Sequence, residues 1–183
     1  MELQEQDEEL LLKINDIMQN ERPLRLQMLH NKNEKWQNQY RLILQSKYTS
    51  SVLEIYGMVQ NKSLVLEFPK CVSQEFYAPF ILGYFDGDGS ISLSKNNRSG
   101  YISMVGTRTF LNIVAEIIKI NTGAEVTINR DVRARDPICS LRCNKKQDVI
   151  KILDWLYKNS TIHLQRKYDK YYTLLNINNS YVA

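Results

Sequence analysis

The sequence predicts an α+β fold in which helices pack on an antiparallel sheet, built as one complete and one partial repeat. Three observations carry this. Short segments alternate apolar and polar residues with period two, as strands with one buried face do, and longer segments space their apolar residues at three and four, as half-buried helices do. The order of the two kinds of segment also recurs after about 100 residues, far beyond the period of a solenoid unit.

In chain order, Leu10, Leu11, Ile14, Ile17 and Met18 predict an amphipathic helix over residues 7 to 20, with Asp7 placed to cap its start. Leu24, Leu26 and Met28 alternate with Arg25 and Gln27, and Leu42 and Leu44 alternate with Arg41, Ile43 and Gln45, so both stretches read as strands. A second helix is expected from Thr49 to Tyr56, halting near Gly57, and the segment from Ser63 to Phe68 looks strand-like.

The centre of the chain is Phe80-Ile81-Leu82-Gly83-Tyr84-Phe85-Asp86-Gly87-Asp88-Gly89-Ser90-Ile91-Ser92-Leu93. Pro79 suits a first helical turn and the glycines of Asp-Gly-Asp-Gly suit its end, so the apolar run reads as a short helix. Ser90, Ser92 and Ser94 then alternate with Ile91 and Leu93 as a strand. Gly83 and Gly87 share one helical face, which leaves room for a second helix. Asp88 stands at the C-terminal end, where the helix dipole disfavours an anion, and so calls for a cation or open water.

After it, Thr107 to Ile120 predicts an amphipathic helix stopped by Asn-Thr-Gly. Val126 and Ile128, then Cys139, Leu141 and Cys143, mark two strands, and Asp148 to Tyr157 the next helix. Shifted by 100, Asp7-Glu8-Glu9-Leu10-Leu11 falls on Thr107-Arg108-Thr109-Phe110-Leu111. Residues 1–70 are therefore expected to form a partial repeat and residues 71–183 a complete one.

The 183 residues, 43% of them hydrophobic, suffice for a proper core. A net charge of +4 is only mildly basic and neither requires nor excludes a nucleic acid partner. The three cysteines show no zinc or disulfide spacing. The acidic N-terminus does not resemble a signal peptide and no stretch reaches a membrane span, so an intracellular protein is expected, in cytoplasm, nucleoid or an organelle matrix.

Ile81 to Gly89 resembles the signature nonapeptide of the LAGLIDADG homing endonucleases, matching it at Gly83, Asp86, Asp88 and Gly89. The resemblance implies a LAGLIDADG-type fold and a sequence-specific double-stranded DNA endonuclease that hydrolyses phosphodiester bonds, as in intron homing and mobile genetic elements. It further implies Mg2+, or another divalent cation such as Mn2+, held by Asp88 with a backbone carbonyl near Gly87, while Asp86 is structural. Lys167 falls where family members place a basic residue near the scissile phosphate, its alternative being a solvated helix lysine; Lys62 is a second candidate. A polar residue that positions water is expected between Ser103 and Thr107. Family sites are shared by two motif helices, yet only one motif is present here. The contact through Gly83 and Gly87 is thus expected to form a homodimer or to receive a missing first-motif segment.

Paired strands fit the DNA major groove and offer every second side chain to it. On that reading Ser92, Ser94, Thr127, Asn129, Ser140 and Arg142 face DNA, joined by Lys95, Asn97, Arg98, Tyr101, Arg130, Arg133 and Arg135 from the loops and by Arg25, Gln27, Arg41 and Gln45 from the first part. Two other readings remain open on the sequence: a non-catalytic nucleic-acid binder such as a maturase or regulator, and an inactive remnant of a two-motif endonuclease.

Overall fold

A computed structural model describes residues 1–31, 33–58, 65–95, 99–130 and 138–179. Its first part runs β1 (Glu2–Gln4), α1 (Glu8–Ile17), β2 (Arg25–Gln27), β3 (Gln39–Arg41) and α2 (Lys47–Ile55). The second runs α3 (Tyr77–Asp88), β4 (Gly89–Leu93), β5 (Gly100–Thr107), α4 (Arg108–Thr122), β6 (Thr127–Arg130), β7 (Ile138–Cys143), α5 (Lys146–Tyr157) and α6 (Gln165–Asn179). Both sheets are antiparallel, in the orders β1-β3-β2 and β4-β5-β7-β6.

Helix α4 shows how local chemistry sets the boundaries. Thr107 Oγ1 accepts the Phe110 amide at 3.2 Å, which satisfies one of the four orphan donors of the first turn. Gly123, left-handed at φ 67°, closes the other end by donating to Lys119 O at 2.9 Å, a conformation that costs glycine little. Between them Phe110, Leu111, Val114, Ile117 and Ile118 face inward. They meet Ile81, Leu82 and Phe85 of α3, Val149, Ile152, Leu153 and Leu156 of α5, and the sheet residues Ile91, Ile102, Met104, Cys139, Leu141 and Cys143.

Because strand side chains alternate, burying those six leaves their neighbours on the opposite face of the sheet. There Ser90, Ser103, Arg142 and Thr127 stand opposite one another in a row that crosses all four strands.

The element order β1-α1-β2-β3-α2 matches β5-α4-β6-β7-α5, and the strand order β1-β3-β2 matches β5-β7-β6. Leu11 and Leu111, 100 residues apart, are both fully buried. Among the described residues nothing in the first part takes the places of α3 and β4. The consequence shows in α2, which buries none of its residues, whereas α5, packed on α3 and α4, buries seven.

Several expectations are corrected. Residues 2–4, read only as an acidic lead-in, form β1; three residues are too few to show a period. Asp7 makes no side-chain cap to α1; its carboxylate accepts Arg166 instead. The segment 63–68 is not a strand over its described residues: Val65 is helical and 66–69 irregular. The alternation there reflects Leu66 and Phe68 turning into the core, while the Leu66 carbonyl is taken by the Thr107 hydroxyl rather than by a neighbouring strand. Residues 63 and 64 lie outside the described residues. Leu66 and Phe68, on the N-terminal side of the expected boundary at 70/71, pack with the second part.

Candidate active site and nucleic-acid interface

Helix α3 passes straight into β4. Gly89 at the junction is extended, at φ −104° and ψ 169°, and its amide donates to Phe85 O. A Cβ on Gly89 would stand 2.2 Å from Phe85 Cδ2 and 2.5 Å from Phe85 O, so the chain approaches itself here too closely for any side chain. Ser90 follows, its hydroxyl 2.9 Å from that of Ser103 on β5. Asp88, the last helical residue and two positions before Ser90, is exposed.

Beyond the helix's own backbone and their chain neighbours, Gly83 and Gly87 have no atom among the described residues within 4 Å of a built Cβ, and both are exposed as an open stripe along α3. The opposite side of the helix is buried. Tyr84 donates its hydroxyl to Val105 O at 2.6 Å, and burial, reinforced by Asp88, pushes its phenol far above the ordinary range.

Asp86 is buried, and its Oδ2 accepts the Leu164 amide at 2.9 Å. Desolvation raises its pKa, against the lowering pull of that hydrogen bond and of Lys167. Its Oδ1 and the Tyr157 hydroxyl are buried polar atoms with no hydrogen-bond partner among the described residues. Lys167 is 3% exposed, so it is not a solvated helix lysine. Its ammonium donates to Phe85 O, to Asp86 O at 2.9 Å and to Gly89 O at 2.7 Å, and burial lowers its pKa to about 8.

Among the described residues no group of three or more His, Cys, Asp or Glu could enclose a metal ion. Asp88 with a neighbouring carbonyl fits a smaller role: one face of a site for a hard cation that keeps its waters and takes further oxygen ligands from outside the chain.

On the open face of the second sheet lie Ser92, Tyr101, Thr127, Asn129, Ser140 and Arg142. The Arg142 guanidinium lies 4.8 Å from the Tyr101 ring centre, a cation–π contact that orients it, and the Arg142 carbonyl accepts Thr127 Oγ1 at 3.2 Å. Ser94 and Lys95 belong to the turn after β4, where Ser94 Oγ accepts the Ser99 amide at 3.1 Å. Arg130 pairs with Cys139 and so points from the other face of the edge strand, exposed. Asn97, Arg98, Arg133, Arg135 and Lys62 lie outside the described residues.

Arg25, Gln27 and Arg41 share one face of the first sheet, and Gln45 is exposed beyond β3. Arg41 is engaged there by the Glu2 carboxylate. The Gln27 amide, turned oxygen-inward, accepts from it at 2.8 Å. Sequence reasoning named Ser103 only as one end of the range expected to hold a water-positioning residue and missed its pairing with Ser90, although the period-two alternation places Ser90 on the polar face. It also missed the Asp7 and Arg166 pair, for which no local signal exists.

These features define an α+β protein in which a glycine-spaced helix delivers an acidic residue to the edge of a polar antiparallel sheet. Residues 75–154 match the family model described as a LAGLIDADG-like domain. Among solved structures, the LAGLIDADG homing endonuclease I-GzeII in complex with its DNA target is similar at TM-score 0.61 and 12% identity, over 100% of this chain and 80% of that one. Meganuclease I-SmaMI bound to uncleaveable DNA is similar at TM-score 0.54 and 15% identity, over 96% and 77%. The N-terminal LAGLIDADG domain of DUF199/WhiA is similar at 0.52 and 11%, over 88% and 69%. At such identities the likeness concerns the fold. No curated protein matches in sequence. Among the described residues no helix is long and apolar enough to cross a membrane.

Proposed function

We propose that this protein is a divalent-metal-dependent, sequence-specific endonuclease for double-stranded DNA. The observation that carries the reading is the position of Asp88, exposed where α3 opens onto the row Ser90, Ser103, Arg142 and Thr127. The likeness of fold to proteins solved with DNA supports the choice of ligand.

Asp88 and the Gly87 carbonyl would hold Mg2+ or Mn2+, which when bound neutralises charge on the phosphate and activates a water. The paired Ser90 and Ser103 hydroxyls, on the strands that follow Asp88, would orient that water. Ser92, Tyr101, Asn129, Ser140 and Arg142 would read bases, with Ser94 and Lys95 near phosphates, while Arg130, on the other face, is left out of this surface. Arg25, Gln27, Arg41 and Gln45 extend this surface on the first sheet.

One carboxylate is half of a two-ion site. The open stripe at Gly83 and Gly87 supports its completion by a second motif helix, from a second copy of the chain or from a first-motif segment standing where the first part lacks α3 and β4. Residues 1–70 and 71–183 would then be a partial and a complete repeat, and the setting an intracellular mobile element. The single carboxylate equally favours a second reading, a DNA-binding protein without cleavage.

Randomised plasmid DNA incubated with the protein and Mg2+ or Mn2+ decides between them. Site-specific cleavage that Asp88→Asn abolishes while DNA binding persists is the expected result. Binding by the wild type with no cleavage in either metal favours the second reading.

A further inference from the structure

The last four carbonyls of a helix have no partners within it. The common remedy is a left-handed glycine whose following amides fold back onto them. Gly89 cannot do this, because its extended conformation sends the chain directly into β4. One ammonium group takes up part of that role, meeting the orphan Asp86 carbonyl, the Phe85 carbonyl that the Gly89 amide also reaches, and the first carbonyl of β4. Lys167 Nζ donates to Phe85 O, Asp86 O and Gly89 O, bracketing Asp88 on both sides in sequence. These use all three donors of the group, and none is left for a phosphate.

A lysine this deeply buried needs compensation. Here it sits at the negative end of the α3 dipole, with the ring of Phe85 4.9 Å away. The charges that act on it are Asp86, Asp88 and Asp7, which favour its ammonium form, and Arg166, which opposes it. The same turn is tied to α3 a second time, through the Leu164 amide and Asp86 Oδ2.

We infer that Lys167 is a positioning residue for Asp88: by clamping the carbonyls before and after it, the ammonium fixes the direction in which the Asp88 carboxylate leaves the helix. This rests on the endonuclease reading only in taking Asp88 as the metal-binding group. The clamp restricts the α3–β4 junction whatever Asp88 binds.

The test compares wild type, Lys167→Met, Lys167→Arg and Asp88→Asn without DNA, by amide hydrogen exchange and by Mn2+ titration followed by electron paramagnetic resonance. Simple electrostatics and positioning predict opposite signs. Removing a cation near a carboxylate strengthens Mn2+ binding, whereas losing the position of the carboxylate weakens it.

The inference expects Lys167→Met to speed exchange at residues 87–91 about tenfold while amides of α5 keep their rates, and to weaken Mn2+ binding about fivefold. Lys167→Arg keeps the charge without its three convergent bonds and shifts both readouts the same way, which covers a Met variant that fails to fold. Unchanged exchange at 87–91, a rise shared equally by α5, or Mn2+ binding that stays equal or tightens overturns it. Should wild type and Asp88→Asn bind Mn2+ alike, the metal reading of Asp88 fails, and exchange alone decides the clamp.

Discussion

Asp7 and Arg166 lie 159 residues apart in the chain, yet Arg166 Nε donates to both carboxylate oxygens of Asp7 at 3.1 Å. The Asp7 side chain is 4% exposed and that of Arg166 41%. The pair joins the start of α1 to the first turn of α6, next to the residue that closes α3. It therefore links the first part of the chain to the junction that carries Asp88.

Arg166→Ala should cost on the order of 2–3 kcal/mol, because it strands a buried carboxylate. Asp7→Asn should cost less, and the two changes should be strongly non-additive. Urea unfolding of the two single variants and the double variant measures this, and additive costs would show that the pair is not coupled.

Two glycines of one motif should respond oppositely. Gly83→Ala meets open space in the isolated chain and should raise its stability by about 0.5–1 kcal/mol, since alanine favours a helix interior. Gly89→Ala must displace Phe85 and should destabilise by several times that amount. Thermal unfolding ranks them. If the α3 stripe contacts a second helix, light scattering will also show Gly83→Ala weakening that association.

Arg142→Ala should weaken DNA binding by about 1–3 kcal/mol if the side chain reaches a guanine, and should relax preference at one base position. Tyr101→Leu keeps the charge but removes the ring beneath it, and should lose part of that preference with a smaller loss of affinity. Selection of bound sequences from a random pool checks both, and a uniform loss across sequences would make Arg142 a phosphate contact instead.

Lys167 sets a pH dependence. Its pKa falls from 10.5 in the unfolded chain to about 8 in the fold, chiefly by burial. Between those values the unfolded chain holds the proton and the folded one does not, so this group's contribution to stability rises with pH from about 8 towards 10. Cys143, raised from 9.0 by burial, contributes in the opposite sense above pH 9. The difference between wild type and Lys167→Met removes that background. Unfolding free energies at pH 7 to 10 should show the wild type gaining on the variant, and a constant difference refutes the shift.

What the sequence by itself determined is what local spacing encodes. The helix carrying Gly83, Gly87 and Asp88, the Ser90 to Leu93 alternation, the helix start at Thr107 and the Asn-Thr-Gly stop each rest on interactions a few residues long, and all of these elements form; the alternation ends one residue short, with Ser94 in the turn, and Thr107 is the cap rather than the first helical residue. The match of Asp7 with Thr107 as helix starts was likewise readable as an offset of 100 residues. Tertiary structure alone decided which polar groups meet. It took Asp7 from a cap to Arg166, turned Lys167 to carbonyls some 80 residues earlier, and, among the described residues, left α2 without a counterpart of α3, one of the two helices on which α5 packs. The physical reason is that a buried charge or an orphan carbonyl is satisfied by whatever donor the fold brings near, and sequence distance does not enter that choice.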